Sequence, residues 1–219
     1  MTLEVYNFDQ RSEEWYAARR GILTASVIGQ LVTAKTLKVA DNDYSRAIVA
    51  QLVAERITGE TEGTYTSDDM MRGILDEPLA VDIYAQHYAP VTTTGFMVRR
   101  ETDWTLGYSP DGLVGDDGLV EVKCPRAKTH LRTILNGVPA EHMPQLQAGL
   151  LVSGRRWVDF ISYYGGMPMF VSRIVASPAW HEAITEACRA FDIKAEQMID
   201  EYLSVTADMP ATERMEISI

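Results

Sequence analysis

The sequence predicts an α/β (α+β) fold in which a central mixed β-sheet is flanked by helices. Three observations carry this. Helical apolar spacing fills the N-terminal part, a block of strand-like runs follows, and two helices, two strands and a last helix complete the chain. That order suits a sheet covered by helices. The run Leu119-Val120-Glu121-Val122-Lys123 alternates, is β-branched, and lies between Asp116-Asp117-Gly118 and Pro125, which is the pattern of a strand. At 219 residues with 46% apolar content, the chain can bury a substantial core. Residues 1–203 are expected to form a single domain, and residues 204–219 a poorly ordered tail.

Ser12 caps a short helix reaching Arg20, with acids in its first turn, arginines in its last, and Gly21 ending it. Thr24-Ala25-Ser26 opens a second short helix from Val27 to Val32, and Ala34 to Asp43 reads as a loop. Tyr44 to Ile57 has apolar residues at helical spacing, with Gly59 as its stop. After a polar loop from Thr61 to Thr66, Ser67 caps a helix from Asp68 to Tyr88, in which Pro78 predicts a kink or break near Asp76. Val91 to Arg100 and Thr105 to Tyr108 read as strands. Ala127 to Leu135 is a helix closed by Asn136-Gly137, and Pro139 to Val152 is another, with Ser153-Gly154 as its stop. Arg156 to Tyr164 and Met169 to Val175 form a hairpin through Gly165-Gly166. Pro178 to Tyr202 is a long amphipathic helix.

Composition excludes some classes. No apolar run approaches the roughly 20 residues of a membrane span, and the first residues lack the basic and apolar regions of a secretion signal. Two cysteines, Cys124 and Cys188, lie far apart without metal-ligand spacing, which suits a reduced, cytoplasmic setting. The net charge of -11 argues against generic nucleic-acid binding. Binding depends on where charge lies rather than on its sum. Bases are paired at Arg19-Arg20, Arg99-Arg100, Arg126 with Lys128, and Arg155-Arg156, so a basic groove on an acidic body is compatible with the sequence.

The chemistry concentrates around Ser109-Pro110-Asp111-Gly112 and the strand that follows. On a strand, residues two apart share a face, so Glu121 and Lys123 project together while Val120 and Val122 pack the other way. A hairpin through the Gly/Asp loop carries Asp111 back alongside Glu121. Two converging carboxylates repel unless a divalent cation sits between them. Asp111 and Glu121 therefore read as ligands of Mg²⁺, with the Val122 carbonyl as an extra ligand and a second ion balancing the leaving oxygen. Lys123 would position the attacking water and stabilise charge on phosphorus. The bland reading is a solvated Glu-x-Lys ion pair worth about 0.2–1 kcal/mol. Apolar flanks on a central hairpin make three unused charges expensive there.

Ser-Pro-Asp-Gly followed by Glu-Val-Lys-Cys-Pro resembles the PD-(D/E)xK core of the phage lambda exonuclease family, the YqaJ-type viral recombinase nucleases, with a restriction-endonuclease-like core. Three further motifs resemble the family's in the same order. They are Trp15-x-x-x-Arg19-x-Gly21-Ile22-x-Thr24-Ala25-Ser26, Gly73-x-x-x-Glu77, and Met143-Pro144-Gln145-Leu146-Gln147. The resemblance covers about residues 12 to 150; the C-terminal third matches only in general pattern. It implies that Asp111, Glu121 and the Val122 carbonyl bind metal, with Glu77 as a further acid, and that Lys123 is the catalytic lysine. It places Gln145 beside the active centre and makes Arg19 and Ser26 a pocket for a 5′-phosphate. Without the resemblance, Arg19 is a helix-end charge, Ser26 an N-cap, and Glu77 and Gln145 ordinary helix-surface residues.

The resemblance also implies an activity. It is Mg²⁺-dependent (Mn²⁺ substituting) 5′-to-3′ digestion of one strand of linear double-stranded DNA to mononucleotides, preferring 5′-phosphorylated ends. The 3′ tail would pass to a single-strand annealing protein. Also implied are a homotrimer ring around the DNA and a phage or prophage gene acting in the cytoplasm of a bacterial host. Lys35, Lys38, Arg99, Arg100, Arg126, Lys128 and Arg132 are the candidate channel bases, each by default a solvated cation, and the Ala34 to Asp43 loop is the expected contact with the duplex end. Two alternatives stay open: an endonuclease of restriction or repair type on the same core, and a non-catalytic acidic protein binding a DNA-processing partner. An iron–sulfur nuclease needs four cysteines, and this chain has two.

Overall fold

The computed structural model describes residues 2–61 and 67–213. The chain opens with β1 (Thr2–Tyr6) and α1 (Glu13–Arg19), then a 3-10 turn over Ile28–Gln30 and a tight hairpin of β2 (Val32–Thr33) and β3 (Lys38–Val39). Next come α2 (Asp43–Thr58), α3 (Asp68–His87), β4 (Phe96–Arg100), β5 (Thr105–Tyr108), β6 (Gly112–Val114) and β7 (Gly118–Lys123). The last part holds α4 (Ala127–Asn136), a 3-10 turn over Ala140–His142, α5 (Met143–Ser153), β8 (Trp157–Ser162), β9 (Phe170–Val175) and α6 (Pro178–Thr206).

The helices begin and end where local chemistry dictates. Ser12 accepts from the Trp15 N–H at 3.2 Å and Ser67 from the Met70 N–H at 3.3 Å. Asn42 and Ser45 close a reciprocal capping box at the start of α2. Gly59 and Gly154 terminate α2 and α5 in the left-handed conformation, each φ being +70°. The mixed sheet is β6-β7-β8-β9, with β7 and β8 parallel and both outer pairs antiparallel. Beside it lies a separate antiparallel sheet, β1-β4-β5. The main buried cluster draws on residues from Leu23 to Ala195, joining α2, α5, α6, β5 and one face of β7 and β8. A second cluster packs α3, through Ala80 and Tyr84, on the opposite face with Val120, Val122 and Ile161.

Several expectations are corrected. The Val27 to Val32 helix is only the 3-10 turn, because Thr24 bridges to Gly107 and buried Val32 is drawn into the β2–β3 hairpin. The Ala34 to Asp43 loop is that hairpin's second half and the start of α2. The strand expected from Val91 begins only at Phe96. Thr92 instead exchanges two hydrogen bonds with Leu113, and Gly95 passes so close to the Tyr6 carbonyl that a Cβ would lie 1.7 Å from its oxygen. α3 is continuous through exposed Pro78, so of the kink or break expected near Asp76 the break does not occur. Arg72, bound to Asp76 at 2.8 Å and to the Cys124 carbonyl at 2.9 Å, anchors its first half, and buried Ala80 and Tyr84 anchor the second. α6 continues to Thr206, past the expected start of the tail. Most of the Thr61 to Thr66 loop, and residues 214–219, lie outside the described residues. β1 has no forerunner in the sequence reading.

Candidate active site

The β6–β7 hairpin builds the centre of the site. Gly112 pairs with Val120, so Asp111, one residue earlier, comes opposite Glu121. The Asp111 Oδ2 accepts the Val122 N–H at 2.6 Å, and its other oxygen meets no donor among the described residues. Glu121 is 2% exposed on the inner face of β7, while Val120 and Val122 pack into the cluster under α3, as a two-residue period requires. Its Oε2 accepts the Tyr108 hydroxyl at 3.0 Å. Its Oε1 accepts the Lys123 ammonium at 2.8 Å and the Gln145 amide. Lys123 also donates to the Gln145 Oε1 at 3.1 Å, so lysine, glutamate and glutamine form a closed triangle.

Electrostatics follow from this crowding. Burial, then the negative charges of Glu121 and Glu77, push the Asp111 carboxyl well above the usual carboxylate range, against the pull of Lys123 and the Val122 N–H. Burial alone would lower Lys123, but Glu121, Asp111 and Glu77 outweigh it and raise the ammonium above its ordinary value. Lys123 is thus a firm cation and a hydrogen-bond donor. Burial beside Glu121 and Asp111 likewise drives the Tyr108 phenol well up, keeping it a donor to Glu121.

A second group closes the other end of the cleft. Trp15 Nε1 donates to the Ser109 Oγ at 3.0 Å, and Arg19 Nη1 to the same oxygen at 3.3 Å. The Arg19 guanidinium stacks 3.8 Å from the Trp15 ring centre, and burial lowers its pKa to about 10. Thr24 and Ser26 hydroxyls lie 3.1 Å apart on the facing segment. A hydroxyl triad with a desolvated guanidinium suits an anionic, tetrahedral group. The backbone around it is held twice. Gly21, at φ +64°, gives its N–H to Glu55 at 2.8 Å and receives Arg56 on its carbonyl at 2.7 Å. Gly107 pairs with both Leu23 and Ala25.

One cleft of about 240 Å³ gathers Arg19, Ser26, Glu77, Asp111, Glu121, Val122, Lys123 and Gln145, the residues singled out in the sequence for the active centre and the phosphate pocket. It adds Arg11, Trp15, Thr24, Tyr108 and Ser109, which sequence reasoning missed. Trp15 and Thr24 stood within a quoted motif, and Ser109 beside Asp111; Tyr108 and Arg11 carried no signal. Glu77 does not join the other acids directly, since its Oε2 is held by Arg11 at 3.3 Å. Among the described residues no three His, Cys, Asp or Glu side chains form a ready cage. The donor set nevertheless fits a hard divalent cation. It consists of carboxylate oxygens around an Asp111 whose proton affinity is raised by uncompensated negative charge, with one oxygen open.

Of the channel candidates, Arg99 is bound to Glu101 and the Leu151 carbonyl, and Arg100 to Glu4 across the β1–β4 pair. These two serve the small sheet rather than the cleft. Arg126 pairs with Asp69 and lines a larger groove of about 570 Å³ that shares Arg11, Glu77, Val122 and Lys123 with the cleft. Lys128 and Arg132 are exposed on α4, and Lys35 and Lys38 are exposed on the β2–β3 hairpin, no residue of which lines the cleft.

The fold has counterparts among solved structures. LHK-Exo, an alkaline exonuclease from Laribacter hongkongensis, is 34% identical, with a TM-score of 0.81 over 91% of this chain and 100% of that chain. The same protein in complex with dAMP gives 0.80 at the same identity and coverage. A phage-related exonuclease from Haemophilus somnus 129PT, 12% identical, shares the fold with a TM-score of 0.60, over 83% of this chain and 96% of that one. No curated protein matches the sequence. The architecture is the restriction-endonuclease-like one that the motif implied. With residues 14–156 matching the YqaJ-like viral recombinase domain, the chain belongs to that family.

Proposed function

We propose that this protein is a metal-dependent exonuclease that digests one strand of linear duplex DNA from a 5′-phosphorylated end. The observation that carries the reading is the shared cleft. The Asp111–Glu121–Lys123 centre and the Arg19–Ser26–Ser109 pocket open into the same 240 Å³ space, one suited to breaking a phosphodiester and the other to seating a terminal phosphate. Likeness to an alkaline exonuclease at 34% identity over nearly the full chain supports it.

Asp111, Glu121 and the Val122 carbonyl, with Glu77, are the residues that would hold Mg²⁺, or Mn²⁺ in its place, one or two ions per site. Such an ion supplies charge neutralisation at phosphate and an acidified water. The chain's own groups do the rest. Gln145 and Glu121 aim the Lys123 ammonium into the cleft. Lys123, which donates to Glu121 and Gln145, would position the attacking water and steady the charge developing on the phosphate. Arg19 and the Ser26 and Ser109 hydroxyls hold the terminal phosphate, which sets the register of the scissile bond.

The same reading includes a homotrimeric ring, a 3′ tail handed to a single-strand annealing protein, and a phage or prophage gene acting in the bacterial cytoplasm. No helix among the described residues is long and apolar enough to cross a membrane. Residues 1–203 would act as one domain. The end pocket favours an exonuclease over an endonuclease. A buried Glu121 tied to Lys123 is a costly arrangement for a non-catalytic binder.

The deciding assay compares linear and closed circular duplex, with and without 5′-phosphate, resolving product sizes. Mononucleotides from linear, 5′-phosphorylated DNA with Mg²⁺ are expected, and efficient cutting of circles would overturn the proposal. Lys123→Ala should lose about 10²–10³-fold in turnover while still binding DNA ends in Ca²⁺.

A further inference from the structure

Arg11 stands where two spaces meet. It lines the cleft containing Asp111, Glu121 and Lys123, and also the groove of about 570 Å³ that leads away past Cys124 and Arg126 along α3. Its backbone has φ +71°, a left-handed conformation that a side-chain-bearing residue rarely adopts. The turn that imposes it is anchored on both sides. The Ser12 N–H donates to the Asp9 carbonyl at 3.1 Å, and Gln10 Nε2 donates to the Pro110 carbonyl, next to Asp111, at 3.2 Å. A strained turn pinned to the catalytic hairpin therefore fixes where this guanidinium starts.

Its partner is Glu77, at 3.3 Å, with side chains 41% and 26% exposed. A single, long, part-exposed contact is weak and readily exchanged. Glu77 also lines the cleft with Asp111, and the two carboxylates repel, an opposition that a cation between them would relieve. A carboxylate drawn to a cation beside Asp111 releases its hold on Arg11. The neighbouring groove cations are placed differently. Arg72 is fixed to the Cys124 carbonyl and Asp76, and Arg126 pairs with Asp69 without lining the smaller cleft.

We propose that Arg11 is a ligand for the phosphodiester backbone of the bound strand, held on Glu77 in the metal-free protein and released to the strand when Glu77 turns to the metal. This rests on the metal-dependent nuclease reading and adds to it a coupling between metal occupancy and strand binding. By linkage, the coupling works in both directions: a bound strand that engages Arg11 frees Glu77 for the ion.

The test measures binding rather than turnover. A fluorescent 5′-phosphorylated oligonucleotide duplex is titrated into the full chain in EDTA, using wild type, Arg11→Ala, Glu77→Gln and the double variant, with melting curves to confirm folding. Glu77→Gln should tighten binding about fivefold or more when Arg11 is present. The gain should be lost in the Arg11→Ala background. In the Glu77→Gln background, the slope of log affinity on log salt should fall by about one when Arg11 is changed to Ala and be regained with Arg11→Lys. Equal gains from Glu77→Gln in both backgrounds, with an unchanged salt slope, overturn the coupling while leaving the nuclease reading intact. Wild-type protein that neither binds the duplex nor digests it with Mg²⁺ overturns both.

Discussion

Glu121 is buried at 2% exposure and accepts three donors, from Tyr108, Lys123 and Gln145. A buried carboxylate is tolerated only when so satisfied, and each donor also restrains the direction of its oxygens. Tyr108→Phe removes one donor without changing shape. It should cost about 1–2 kcal/mol of stability and raise the Mg²⁺ concentration for half-maximal rate; an unchanged metal titration would assign Tyr108 to packing alone. Asp111 titrates in the opposite sense to a stabilising carboxylate. Its raised pKa means that the native state binds the proton more tightly than the unfolded chain does. Its contribution is therefore greatest below about pH 4 and is lost as pH rises through the folded value. In chelator, the melting-temperature advantage of Asp111→Asn over wild type should grow from mild acid to neutrality. A constant difference across that range would show that Asp111 is not under strain.

At the scale of elements, α5 decides how close chemistry and core can come. It is nearly buried from Leu146 to Val152, and Tyr108 lies directly on Gly149. A Cβ there would stand 2.7 Å from the Tyr108 Cζ, so only glycine lets the phenol pass under the helix to Glu121. Gly149→Ala should cost about 1–3 kcal/mol through overpacking. It should also reproduce the metal-affinity defect of Tyr108→Phe, which kinetics at varied Mg²⁺ would reveal. α3 is tied down similarly at its far end. The Tyr84 hydroxyl donates to Asp159 at 2.6 Å, and Arg173 grips both Asp159 oxygens at 2.8 Å while stacking on Trp157. That triad, with Tyr84 and Asp159 buried and Arg173 at the surface, fixes the rotation of the helix that presents Glu77.

Across the whole molecule, the C-terminal helix reaches the end pocket although it lies beyond the family-matched segment. Phe191, 2% exposed on α6, sits under the Arg56 guanidinium, whose Nε holds the Gly21 carbonyl between Arg19 and Ser26. Asp192 ties Arg56 to the Thr105 N–H of β5. Phe191→Ala should lose about 3–5 kcal/mol. Where the protein remains folded, discrimination between 5′-phosphate and 5′-hydroxyl ends should weaken more than turnover on either. Melting curves and the ratio of the two rates check this. Acidic side chains of this chain, whose net charge is -11, take up surface arginines both locally and across the fold. Arg46 is taken by Asp41 and Asp43, and Arg189 by Asp103.

Glu121 and Lys123 were legible because strand alternation and flanking breakers are local properties, and two charges on an apolar strand are conspicuous by their desolvation cost. Caps at Ser12, Ser67, Gly59 and Gly154 were legible for the same reason: each satisfies groups within a few residues of itself. β1 was not, since its pairing partner Phe96–Arg100 is remote in the chain and exposed Leu3 and Val5 leave little alternation to detect. Tyr108 reads as one more aromatic core residue until Gly149 and Glu121 are placed around it. Arg99 and Arg100 read as solvated cations until Glu101 and Glu4 are placed beside them. Local pattern, together with family motifs, thus specified most elements and the side chains that share the cleft. Which charges remain free to meet a ligand depends on contacts between residues far apart in the chain, and only packing sets those.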